Sequence, residues 1–445
     1  MTAKEDPSFD VPLQRVPIVA APDVCVIGGG AAGMAASVAA ARCGLKVLLV
    51  EKYGFCGGAT VAGLSGTICG LFSSGSRPQQ IVFGFAGEFY EAMRSRSGVS
   101  DPLPFGRTIL VSHDSLVWKE VADGLLSDAG VKVLFHSVFL RAFCDSGGIK
   151  TLVLKCMEGL VAIQPKVVID ASGDAEVVND VGGATTFGDN GVVQTPTMIF
   201  RMGGVDMKKF LALDPRQIDA MVTECHASGL YELPRHHVYL FPLPSGSEVI
   251  CNMTRITFPN GRVPSGLKSA DMSFAEAEGR KQARNYATFL REKVPGFRNA
   301  FMVDTGAQIG IRQTRSIVGV TRLTNQQVIA AAKTPGAATF SAWPIETHSA
   351  DGVKILYFED QCYDIPFEAL IPKGAINLFA AGRCFSAEHE ALASARVTAQ
   401  CFGMGYAAGA ACGALLRDPQ PAHALSGPCV EQYMQEMRLK TSHQR

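Results

Sequence analysis

At 445 residues the chain exceeds one small domain and predicts about two to three units. Lys+Arg and Asp+Glu stand at 41 each, and only 18% of residues are charged against 47% hydrophobic, which excludes the basic footprint of a nucleic-acid or anionic-membrane binder. The 13 cysteines are an odd number with no CxxC pair, and several (Cys25, Cys43, Cys401, Cys412) sit in apolar contexts, so buried free thiols in a reducing compartment are expected and the cytoplasm is the expected location.

Residues 1–20 carry acids and prolines and lack the apolar core of a signal peptide, so they read as a flexible leader. Val24 to Ile27 is a short β-branched run that predicts a strand buried on both faces, and it breaks into Gly28, Gly30 and Gly33 with GxGxxG spacing. An Ala-rich helix follows to about Cys43, opening through Ala31 and Ala32. Gly28 permits the sharp turn, Gly30 lets backbone approach a pyrophosphate, and Gly33 lets the helix lie close to the strand. The helix N-terminus offers unpaired N–H groups to phosphate. A second strand, Lys46 to Val50, delivers Glu51, whose carboxylate suits ribose hydroxyls. Strand, glycines, helix, strand and acid in that order predict a dinucleotide site.

Beyond Glu51, Lys52 leads into a glycine-rich loop with Gly57, Gly58, Ala59 and Thr60, expected to close over the cofactor, and the small-residue stretch continues through Ser65 to Phe72. Helices are predicted for Phe83 to Arg94 and, capped by Asp114, to about Asp128. Val131 to Phe135 reads as a third parallel strand. Val138 to Phe143, Thr151 to Cys156 and Leu160 to Ile163 read as an antiparallel meander, and Lys166 to Asp170 returns to the main sheet before Ala171-Ser172-Gly173-Asp174. From about Thr185 to Ala307 the motif does not recur. Strands are expected there near Thr197 to Met202, Val238 to Pro242 and Glu248 to Thr257, with an amphipathic helix from Ser273 to about Lys293. Ala375 to Ala380 is a last buried strand, then Gly382-Arg383 and a long Gly/Ala-rich helix from about Ser394 to Leu416. The apolar run Cys401 to Leu416 is too short and glycine-rich for a good membrane span, so no membrane span is expected. His236-His237 lacks an acid or cysteine to complete a ligand set, so no metal site is expected.

The GxGxxG unit, Glu51 with its GG loop, the ASGD after the meander, and Asn377 to Gly405 (NLFAAGRCFSAEHEALASARVTAQCFGMG) together resemble the FAD-dependent oxidoreductases of the glutathione-reductase-like flavoprotein group. More narrowly, they are similar to the family labelled FAD-dependent oxidoreductase, distantly related to fumarate-reductase-type and thiazole-biosynthesis flavoproteins. The resemblance implies an α/β fold: a Rossmann-like FAD-binding domain with a parallel sheet and an antiparallel β-meander, plus an inserted α+β substrate domain. The implied boundaries are 1–20 leader, 21–185 first part of the FAD-binding domain, 186–307 inserted substrate or cap domain, 308–418 second part on the flavin-ring side, and 419–445 tail.

By the same resemblance, Gly28, Gly30 and Gly33 would hold the FAD pyrophosphate, Glu51 the adenosine ribose, and Val138 the adenine edge through its backbone. Ala171 and Gly173 would lie beside the pyrophosphate, Asp174 would order the loop, and Gly382 and Arg383 would lie near the ribityl chain. Arg383 departs from the acid common in this group, which suits pairing with pyrophosphate. Ser394, Arg396 and Val397 would begin the last helix and face the flavin pyrimidine, where Arg396 and the helix dipole favour negative charge. The alternative for Arg396 is a cap on local backbone or a pairing with Glu390. His389 is the first candidate for proton transfer and His348, beside Glu346, the second. Arg312 and Arg315 are candidate carboxylate binders or internal salt-bridge partners. Cys56 and Cys69 are weaker candidates for covalent attachment or redox pairing.

The implied enzyme is an FAD-dependent oxidoreductase of dehydrogenase or oxidase type. It would exchange a hydride between flavin N5 and a small organic substrate, with oxygen, a quinone or another carrier as acceptor. A flavin monooxygenase, a redox-neutral isomerase or hydratase, and a non-catalytic electron-transfer subunit stay open, as does homo-oligomer formation.

Overall fold

The structure is a computed structural model and describes residues 15–350, 352–358 and 361–439. At its centre is a five-stranded parallel sheet in the order Leu378–Ala380, Val167–Asp170, Val24–Ile27, Val47–Val50, Lys132–Leu134. The inner strands are buried at every position, as their unbroken apolar runs require when both faces are covered. Side chains alternate between two cores. Val24, Val26, Leu49 and Ile169 face the helices, whereas Cys25, Ile27, Leu48 and Val168 face the meander. Ile27 is in register with Val50 and Asp170, and Asp170 with Ala380, so the carboxyl ends of four strands open onto one edge. That edge is where α/β sheets form ligand crevices.

The helical layer is dominated by the pairing of Ala31–Arg42 with Thr398–Arg417. Small residues set the distance: a Cβ added at Gly405 or Gly409 would strike the carbonyl oxygens of Ala32 and Ala36. By length and composition alone the second helix could cross a membrane, at a mean hydropathy of 1.2. Its faces are covered instead by this pairing and by the core, with 89% of the apolar window buried.

On the other face the meander strands Val138–Asp145, Gly148–Cys156 and Gly159–Ile163 are joined by a fourth, Ile18–Ala20, parallel to Gly159–Ile163. The leader expectation is corrected there. Backbone pairing along the free edge fixes the residues just ahead of the first motif, while residues 1–14 of the expected leader lie outside the described residues. Asn377 fastens meander to sheet. Its amide exchanges bonds with the Ile149 backbone (2.8 and 2.9 Å) and donates to Lys166 O (2.9 Å).

Within the 186–307 stretch, an antiparallel sheet in the order Tyr239–Pro242, Val249–Asn252, Phe200–Gly203, Phe301–Thr305 carries the Ser269–Lys293 helix. It encloses its own apolar cluster around Met198, Phe200, Cys251, Tyr286, Phe289 and Leu290. Where the chain leaves and returns, Thr185–Phe187 pairs with Arg315–Ile317.

The long C-terminal helix departs from expectation. The chain forms a short helix, His389–Ala395, turns at Arg396-Val397, and starts again as Thr398–Arg417. Ser394 is therefore near the end of one helix and is not the start of the next.

Candidate active site

One cavity of about 340 Å³ opens at the carboxyl edge of the parallel sheet and runs beneath the inserted sheet. Its first end is lined by the opening motif. Gly28 turns at φ +100°, a conformation other residues rarely take, with Ala171 O directly where a Cβ would sit (2.5 Å). Gly33 lies behind the cavity wall: a Cβ there would strike the Gly28 carbonyl oxygen, so it sets the helix–strand distance and does not contact the cavity. A Cβ on Gly30 would meet only Gly58 Cα, at 3.9 Å, and otherwise open space. The first-turn N–H groups at Ala31 and Ala32 have no intrahelical partner, and both residues line the cavity.

Glu51 is buried beside them. Its Oε2 accepts from Gly29 N (2.6 Å) and its Oε1 from Tyr53 N (2.9 Å), which orients the carboxylate at the cavity wall. Burial pushes its pKa up against those bonds. Open space above Gly30, orphaned helix N–H groups and an oriented acid fit the pyrophosphate and ribose of a dinucleotide. Lys52, Gly57, Gly58, Ala59, Thr60, Ser65, Val138, Ala171, Gly173 and Asp174 also line the cavity, as does Gly382.

Arg383 lines it too, but the protein holds its guanidinium. It pairs with Asp174 Oδ1 (2.6 Å) and donates to Gly173 O (2.8 Å) and Ile311 O. The same internal network takes Thr314 Oγ1 onto Asp174 (2.6 Å). Arg315 likewise donates to Asp174 O (2.9 Å) and is absent from the cavity lining. Asp170, fully buried at its strand end, accepts from Ser172 Oγ (2.6 Å), Val177 N (2.8 Å) and Val178 N (3.1 Å) and so shapes the ASGD turn.

The other end brings together residues from distant strands. His348 Nε2 lies 3.0 Å from Glu346 Oε1, the histidine buried and the carboxylate partly so. Burial, then the positive charge of Arg312, drives the His348 pKa down. Burial would raise Glu346, but His348, Arg396 and Arg312 outweigh it and keep the carboxylate ionised. The arrangement is a neutral imidazole donating from Nε2 to a carboxylate, with Nδ1 left as acceptor.

Arg312 donates to Thr195 O (2.5 Å) and, at 3.5 Å, toward Asn252 Oδ1. Arg396 donates to Gln194 Oε1 (2.9 Å) and not to Glu390, and burial lowers its pKa to about 10. Arg396 and Val397 line the cavity at the turn before the Thr398–Arg417 helix, whose N-terminus is directed there. Phe105, Tyr239, Phe241 and Trp343 form an aromatic wall, with Phe105 stacked on Trp343 at 5.3 Å and 14° and tilted by 57° against Tyr239.

Like Gly33 and Arg315, the expected site residues Ser394 and His389 are not brought to the cavity. Ser394 is buried behind it, donating to Trp343 O (2.5 Å) and paired with Tyr363 Oη (2.6 Å), because the helix break moves the cavity-facing N-terminus to Thr398. His389 begins the His389–Ala395 helix at the end remote from Arg396, half-buried and outside the lining. Cys69 lines the cavity and Cys56 does not; burial raises both thiols, Cys69 to about 12, which leaves them un-ionised. Tyr239, Phe105, Asn252 and Arg235 were not singled out as site residues from the sequence. Each stands alone in its strand or loop, with no spacing to mark it.

A family model described as FAD dependent oxidoreductase matches residues 23–436. No curated protein matches the chain in sequence. Among solved structures, a geranylgeranyl bacteriochlorophyll reductase-like protein from Thermoplasma acidophilum is 14% identical, covering 95% of this chain and 85% of its own, at a TM-score of 0.49. The p-nitrophenol 4-monooxygenase PnpA from Pseudomonas putida is 10% identical, with 95% and 90% covered and a TM-score of 0.48. The flavin-dependent brominase Bmp2 is 12% identical, with 94% and 84% covered and a TM-score of 0.49.

Proposed function

The chain belongs to the FAD dependent oxidoreductase family, and from that premise we propose that it is a dehydrogenase or oxidase acting on a small organic substrate held at the Arg312–His348 end of the cavity. FAD, when bound, supplies the hydride acceptor or donor. The observation that carries the reading is that one cavity is lined both by Gly30 and Glu51 and by Arg312, Glu346 and His348. A dinucleotide handle and a proton-handling pair thus share one enclosed space.

In this reading the N–H groups of Ala31 and Ala32 hold the pyrophosphate, Glu51 the ribose, and the Val138 backbone the adenine edge. Arg396 and the first turn of Thr398–Arg417 bring positive charge to the ring side, which raises the reduction potential of a cofactor held there. His348 is the proton-transfer residue. Its Nδ1 takes the substrate proton while Glu346 holds Nε2–H and stabilises the imidazolium. The sheet carried by residues 186–307 covers the cavity and excludes water. An acceptor such as oxygen or a quinone completes the cycle, and thirteen unpaired thiols suit the reducing cytoplasm.

Anaerobic mixing of the flavin-loaded protein with amines, alcohols and carboxylic acids tests the proposal. Bleaching of the flavin band by one class without a nicotinamide is expected, and His348→Asn should retain FAD while slowing bleaching about 100-fold or more. Reduction by NADPH alone, with substrate consumed only in oxygen, would instead identify a monooxygenase.

A further inference from the structure

Arg312 and Arg396 line the inner end of the cavity with Arg235 behind them, and each depresses the proton affinity of a neighbour there. Among the described residues, Glu346 is the carboxylate set against them. Charges taken out of water need partners, and a wall with this surplus of guanidinium groups is short of an anion.

The donors tell the same story. Arg312 is 8% exposed, and its two protein acceptors, Thr195 O and Asn252 Oδ1, use one N–H on each terminal nitrogen. Behind it Arg235, 3% exposed, donates to the same Asn252 Oδ1 (2.8 Å) and to His237 O (2.7 Å), while its second terminal nitrogen has no partner. On the lining itself Tyr239 Oη, Trp343 Nε1 and Arg396 Nε are buried without acceptors. Natural proteins rarely leave so many buried donors unsatisfied in one place; ordered water or a ligand completes them.

We propose that the substrate is an organic acid, its carboxylate held by Arg312 with Arg235 behind it, and that this pairing selects the acid over neutral analogues. The proposal rests on the reading that this end of the cavity holds substrate. Arg396 stands at the turn that leads into the Thr398–Arg417 helix, on the cofactor's ring side in that reading, so Arg312 and Arg235 are left with the single carboxylate of Glu346 between them. A planar carboxylate matches the planar guanidinium fork, and the neighbouring aromatic wall of Phe105, Tyr239 and Phe241 suits the carbon body attached to it. A carboxylate at Arg312 would also relieve one cause of the depressed proton affinity of His348, whose first cause is burial and second is Arg312.

The test is equilibrium binding to the flavin-loaded protein, read as a flavin difference spectrum and as a melting-temperature shift. Paired probes are succinate and succinamide, benzoate and benzamide, and phenylacetate and phenylacetamide. At least one acid should bind 10-fold or more tighter than its amide and weaken with salt. Arg312→Met should keep stoichiometric flavin and abolish that ratio, and Arg312→Lys should retain part of it. The proposal is overturned if no acid outbinds its amide, if inorganic phosphate or chloride binds as well as the best acid, or if either variant keeps the full ratio. Failure of the wild-type protein to hold FAD would count instead against the functional reading above.

Discussion

Glu176 shows how much one carboxyl can register of its surroundings. It lines the cavity next to Asp174 and Asp170, and burial followed by those two negative charges raises its pKa from 4.5 to about 7. The folded protein therefore binds a proton there that the unfolded chain releases between pH 4.5 and 7. The stabilising contribution of the neutral carboxyl is complete below pH 4.5 and lost as pH rises through about 7. Glu176→Gln, which stays neutral, should match wild type at pH 4.5 and become more stable than it by about 1–3 kcal/mol near pH 8, since one pKa unit is worth about 1.4 kcal/mol. Urea unfolding of the flavin-free protein across that range measures it, and a gap that stays constant with pH would refute the assignment.

At the level of elements, two glycines separate binding from packing. Gly30→Val places its side chain into open cavity, so it should fold normally and emerge without FAD. Gly409→Val drives a side chain into the Ala36 carbonyl and should cost about 1–3 kcal/mol or more through overpacking. Flavin retained after desalting, and urea midpoints, report both; full flavin in Gly30→Val would sink the pyrophosphate assignment. The strand–turn–helix–strand from Val24 to Val50 was legible because its whole signal is contiguous: an apolar run, glycines at fixed offsets, an Ala-rich helix and an acid. The helix break at Arg396-Val397 was not, since no proline or glycine marks it and the flanking Ala-rich residues favour helix on both sides. The inner end of the cavity was partly legible. Arg312, His348 and Arg396 were candidates by residue type, but Phe105, Tyr239 and Asn252 come from strands whose alternation says only which face is buried, never what it faces. Ile18–Ala20 was hidden because a short edge strand is defined by its partner, Gly159–Ile163, far along the chain.

For the whole molecule, the cavity draws its walls from the first motif, the meander, the inserted sheet and the C-terminal helices. A ligand spanning them binds only the assembled chain. Free FAD at about 100 times its dissociation constant should therefore stabilise the fold by about 2.7 kcal/mol. Removing FAD should lower the melting temperature by several degrees, measured by calorimetry with and without added cofactor; an unchanged transition would show that FAD does not bind the folded chain selectively.

The pairing of Ala31–Arg42 with Thr398–Arg417 has a consequence in time. The first helix leaves the ribosome roughly 350 residues before its partner, which at about 5–20 residues per second is an interval of roughly twenty seconds to a minute. Throughout that interval its Ala-rich face has no cover, while the stretch from Met198 to Ile309, with an apolar cluster of its own, can already close. The nascent chain thus matures from the middle outward, and the cofactor's cradle is the last part to become whole.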